Sequence, residues 1–87
     1  SLSEKNQTIN DFKVYPNPAK NILNITSSKS SISAINIYNL TGQSVLSFNE
    51  LSAPNFTINN ITLSSGIYIL KVTSDALDLQ NIKLIIE

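Results

Sequence analysis

The sequence predicts an all-β domain, seven short antiparallel strands arranged as a two-sheet sandwich. Three observations carry this. From Asp11 onward, short apolar runs recur at roughly 8–12-residue spacing with turn residues between them. Within the runs the apolar residues alternate, so one side of each strand is oily and the other is not. Ile and Ser are the commonest residues at 13 each, followed by 12 Asn, against only four Ala and three Glu, so good helix formers are scarce. The chain of 87 residues allows one small domain.

The elements follow in order. Residues 1–10 have no periodicity and read as a linker from something upstream, leaving 11–87 as the folded domain. Phe12-Lys13-Val14-Tyr15 is a short strand stopped by Pro16-Asn17-Pro18. Residues 21–26 form the second strand, with Leu23 and Ile25 on one face, and a polar Ser-rich connection follows. Residues 32–39 form the third, with Ile35 and Ile37 opposed to Ala34, Asn36 and Tyr38. Leu40-Thr41-Gly42-Gln43 turns the chain, and Gly42 supplies the positive φ of a tight hairpin. Residues 43–48 return antiparallel, 56–60 are the fifth strand, 66–73 the sixth and 81–87 the seventh.

One local feature favours a sandwich over an open barrel. Tyr68, Leu70 and Val72 share a face, and Gly66 stands two residues before Tyr68 at the start of the last strand but one. That fits the tyrosine corner of an immunoglobulin-like seven-stranded antiparallel β-sandwich, whose ring packs in the core while its hydroxyl bonds back upstream. The expected acceptor is a backbone group near Ile61 to Leu63.

Composition excludes much chemistry. There is no Cys, hence no thiolate nucleophile and no Cys-type zinc site; there is no His, hence no imidazole base. All six basic residues are Lys and the net charge is zero, which gives no footprint for nucleic acid. Asp75 and Asp78 are the only carboxylates close together, and a solvated turn suits them better than a calcium loop, which needs a dense run of oxygen ligands. No catalytic residue, cofactor or metal is expected, and the chain reads as a non-enzyme. Pro16 and Pro18 push Tyr15 and Asn17 to extended backbone and make a stiff corner. Ile67, Ile69 and Ile85 face away from the expected core, either as scattered exposed apolars, which is the reading preferred, or as a partner patch.

Read together, the blocks Val14-Tyr15-Pro16-Asn17-Pro18-Ala19, Leu23-Asn24-Ile25, Ile35 to Gly42 with its Tyr38-Asn39-Leu40-Thr41 core, Leu63 to Val72, and Lys83-Leu84-Ile85 resemble the C-terminal sorting domain of the type IX secretion system, type A, of Bacteroidetes. The blocks occur in order over residues 11–87. The resemblance implies a signal at the end of an exported cargo. It implies partners in the secretion machinery: an outer-membrane translocon, a shuttle β-barrel and a sortase-like protease. The implied route runs through the periplasm to the cell surface or the medium, with removal of the domain or anchoring of the cargo. The chain then reads as a piece of a longer exported protein, with cleavage expected within residues 1–10. Members often carry further basic residues after the position of Lys83, whereas this chain ends Leu84-Ile85-Ile86-Glu87.

The residues expected to be read by the machinery are Tyr15, Pro16, Asn17, Pro18, Gly42, Gly66, Tyr68, Lys71, Lys83 and Leu84. The expected mode is edge pairing with an exposed final strand, with Lys83 and the face of Ile82, Leu84 and Ile86 as the handle. The alternative is a passive immunoglobulin-like spacer or a carbohydrate-binding or adhesion module.

Overall fold

Alternating β-branched residues with polar neighbours cannot bury an isolated strand, so each run needs partners beside it and an oily face opposite. The computed structural model describes residues 12–87 and supplies both. Its strands are β1 (Phe12–Tyr15), β2 (Leu23–Ser27), β3 (Ile32–Tyr38), β4 (Ser44–Phe48), β5 (Asn55–Ile58), β6 (Gly66–Ser74) and β7 (Leu79–Ile86). The expected linker, residues 1–10, lies outside the described residues. All seven expected strands are present within a few residues of their expected bounds. The last begins at Leu79, earlier than read from the sequence.

The strands form two antiparallel sheets, β1-β2-β5 and β4-β3-β6-β7. Their buried faces share one core: Phe12, Leu23, Ile25 and Ile58 from the first sheet, and Ile32, Ile35, Ile37, Tyr68, Leu70, Val72, Leu84 and Ile86 from the second. One seam between the sheets is bridged by Phe48 of β4 and Phe56 of β5, with ring centroids 5.1 Å apart and planes tilted by 56°.

A strict period of two places Ile32 on the face of Ala34, yet Ile32, Ile35 and Ile37 are all fully buried. The pairing with β6 explains this. Ile32 stands opposite Ser74 and Ala34 opposite Thr73, so Ser33 is one residue extra on β3. This bulge reverses the alternation and brings Ile32 back to the core. The Ser33 hydroxyl holds it by donating to the Thr73 carbonyl at 3.1 Å.

The β6–β7 hairpin is organised by Ser74, which is fully buried, and not by its two aspartates. The Ser74 Oγ accepts from the backbone N–H groups of Ala76 and Asp78, each at 3.2 Å. At the β3–β4 turn, Gly42 has φ +89° and Asn39 binds the loop together. Asn39 Oδ1 accepts from Thr41 N at 3.1 Å, Thr41 Oγ1 at 2.7 Å and Gln43 N at 3.0 Å. The turn is therefore the three-residue kind, closed by a left-handed glycine as the sequence predicts.

Candidate recognition site

The proline corner is built around a side chain. Neither Pro16 nor Pro18 has an N–H, so the main chain cannot extend a ladder there. Both the Tyr15–Pro16 and Asn17–Pro18 bonds are cis. Between them the Asn17 carboxamide stands in for a peptide group. Its Nδ2 donates to the Lys83 carbonyl at 2.9 Å, and its Oδ1 accepts from the Ile85 N–H at 3.1 Å. The main chain then takes over. Ala19 N donates to the Ile85 carbonyl and Glu87 N donates to the Ala19 carbonyl, both at 2.8 Å. Ala19 thereby forms a parallel bridge with Ile86, and its methyl group is fully buried. The chain leaving β1 thus crosses to the other sheet and covers the edge of β7 from Lys83 to Glu87.

This corrects the expected handle. Leu84 and Ile86 are buried in the core and Ile82 is half-buried, so their face meets the opposite sheet and not a partner. The physical reason is parity: even-numbered residues of β7 face inward with Tyr68 and Leu70, as the pairs Tyr68–Leu84 and Leu70–Ile82 show. Only Lys83 of the expected handle is exposed.

Tyr68 is buried and its hydroxyl donates to the Ser64 carbonyl at 2.7 Å. The bond runs upstream as expected, but its acceptor is one residue past the 61–63 segment. Gly66, at φ +155°, starts β6 opposite Ile86, in backbone that side chains rarely adopt.

The outward face of the four-stranded sheet gathers the residues left over from the core. Ile67 stands opposite Ile85, and Ile69 stands opposite Tyr38 on one side and Lys83 on the other. Lys71 is flanked by Asn36 and Asn81. Ile67 and Ile85 are therefore a cross-strand pair, with Ile69 two residues along β6 on the same face. Within β3, β4, β6 and β7 the charged residues are Lys71 and Lys83 alone, and both stand on this outward face.

The structure thus brings Pro16, Asn17 and Pro18 to Lys83 and Leu84, and sets Gly66 and Tyr68 on the strand beside them. Lys71 lies further along the same sheet, and Gly42 stands apart in the β3–β4 turn. Tyr15, half exposed, ends β1 and is tied to β2 by Asn24, whose Nδ2 donates to its carbonyl at 3.3 Å. The role of Asn17 and the inclusion of Ala19 were missed from sequence. The available signal was an amide side chain between two residues that cannot donate.

The model of the family described as secretion system C-terminal sorting domain matches residues 13–87. No curated protein matches the chain.

Proposed function

The chain belongs to the secretion system C-terminal sorting domain family, whose members are C-terminal signals for type IX secretion in Bacteroidetes, and from that premise we propose how it acts. It is the export address of a cargo joined to its N-terminal side, and it directs that cargo through the outer-membrane translocon. A shuttle β-barrel and a sortase-like protease act on it in turn, and the domain is then removed or its cargo anchored at the surface. The fold that carries the address is an immunoglobulin-like sandwich, for which the strand order and the Tyr68–Ser64 corner bond are the support.

The observation that carries the reading is the match of the family model over 13–87, the same span over which the fold closes on itself through the Asn17–Lys83 contact. The residues read by the machinery are those of the corner and the last hairpin: Tyr15, Pro16, Asn17, Pro18, Gly66, Tyr68, Lys71, Lys83 and Leu84, with Gly42 maintaining the β3–β4 turn. The buried members of that set act through the fold and the exposed ones by contact.

The test is a folded reporter fused ahead of residues 1–87 in a bacterium that has the secretion system. With the domain, the reporter reaches the medium or the cell surface. Without residues 12–87, it stays in the periplasm. Equal export of both forms refutes the address and leaves a passive spacer.

A further inference from the structure

Every open-sheet protein must deal with its edges, because a row of unpaired N–H and C=O groups invites another strand. Among the described residues there are four edges. Three belong to short strands: β1 with four residues, β4 with five and β5 with four. The fourth is β7, with eight residues. Asn17 and Ala19 cover only part of it.

The covered part fixes what remains. Lys83 O, Ile85 N, Ile85 O and Glu87 N all point away from β6, since each is engaged by Asn17 or Ala19. The pairing with β6 runs from Ile86 to Leu79 with no register shift. Alternation therefore points the N–H and C=O of Leu79 and Asn81, and the N–H of Lys83, outward too. Among the described residues nothing pairs with them. This stretch has no proline and no bulge, and none of the described residues covers it. At its end the hairpin tip raises Leu77, 86% exposed at φ +66°, next to Leu79, 52% exposed. A leucine in the left-handed region with its side chain in water is strained and unpacked, a combination that points to contact with something else.

Resting on the export reading, we propose that the uncovered β7 edge at residues 79–83 takes an extended, acidic segment of a partner protein of the secretion machinery as an added strand. Main-chain bonds to Leu79, Asn81 and Lys83 give the pairing. The partner's character follows from charge: the strands of this sheet carry Lys71 and Lys83 and no carboxylate, and Lys83 makes no ion pair among the described residues. A carboxylate on the added strand opposite Lys83 completes that pair. Asn17 sets the register by ending the available edge, so the proline corner is also the stop for the added strand.

The experiment uses the reporter fusion with three variants. Asn81→Pro removes an outward N–H and leaves the β6–β7 ladder intact. Lys83→Glu reverses the charge at the edge, and Lys20→Glu makes the same change off the strands. Melting curves are measured on each. The expected result is export reduced by about tenfold or more for Asn81→Pro. Lys83→Glu is expected to lose about threefold, with export unchanged for Lys20→Glu. If Asn81→Pro melts early, Lys83→Glu against Lys20→Glu decides. Normal export of a folded Asn81→Pro, or an equal loss in both Glu variants, overturns the proposal. So does a self-associated chain that Asn81→Pro makes monomeric with export intact, since the edge then serves a second copy. Removal of residues 12–87 separates the two claims: if that removal does not stop export, the address reading fails. If it does and Asn81→Pro has no effect, only the edge is wrong.

Discussion

Replacing Asn17 by Ala removes the side chain that closes the β7 edge while leaving Pro16, Pro18 and Ala19 in place. Two backbone groups lose their partners, the Lys83 carbonyl and the Ile85 N–H. Each such bond contributes about 1 kcal/mol net, and both lie at the exposed surface where water takes over part of the duty, so the expected loss is about 1–2 kcal/mol. For a domain this size each kcal/mol lowers Tm by about 4–8 °C. Calorimetry measures the total, and amide exchange locates it. The Ile85 amide faces Asn17 and should exchange faster, whereas the Leu84 amide faces β6 and should not. Asn17→Asp sharpens the test. It keeps an acceptor for Ile85 but sets a second carboxylate oxygen against the Lys83 carbonyl, so at neutral pH it should be no more stable than Asn17→Ala. Protonation restores a donor, so that carboxyl is held above its ordinary range in the folded state. Stability is then gained as pH falls through the raised value and lost above it. An Asn17→Ala variant with wild-type Tm and unchanged Ile85 exchange refutes the peptide-mimic reasoning.

Tyr68→Phe keeps the buried ring and deletes the bond to Ser64, so it should cost about 1 kcal/mol. Tyr68→Ala should cost about 3–5 kcal/mol, much of the stability of so small a domain; equal denaturation midpoints for the two would place the value of Tyr68 in its hydroxyl alone. Ser74→Ala should lose about 1 kcal/mol because the N–H groups of Ala76 and Asp78 lose their shared acceptor, with faster exchange at both amides as the check. Gly42→Ala should lose about 1 kcal/mol from backbone strain alone, since a Cβ there meets nothing within 4 Å at φ +89°, and Gly42→Asn should lose less in the same urea titration.

The outcome for particular residues shows where sequence reasoning reaches. Strand positions were legible because alternation is local: Leu23 with Ile25, and Tyr68 with Leu70 and Val72, announce one buried face each. The Gly42 turn was legible because a left-handed residue after Asn-Leu-Thr leaves few choices. Ile32 was harder, because its burial depends on the bulge at Ser33, which exists only as a mismatch between β3 and β6. The handle expected on the last strand differs from the structure for a related reason. The sequence shows that Lys83 and Leu84 point to opposite sides, but which side meets the other sheet is settled by pairing with β6.

The amino-acid order alone establishes the all-β class, the seven strands, the lack of the side chains most catalysis needs, and the ordered blocks that mark the sorting family. These are properties of composition and short-range pattern, and each needs only neighbours along the chain. Only the three-dimensional arrangement shows that the Pro16-Asn17-Pro18 corner packs along the β7 edge. Asn17 and Lys83 are 66 residues apart in sequence, and nothing local to either predicts that the amide of one finishes the ladder of the other. That contact and the Ala19 bonds cover the edge at residues 83–87, and none of the described residues covers it at 79–83. The division follows from where two sheets place their edges in space, a quantity no residue carries alone.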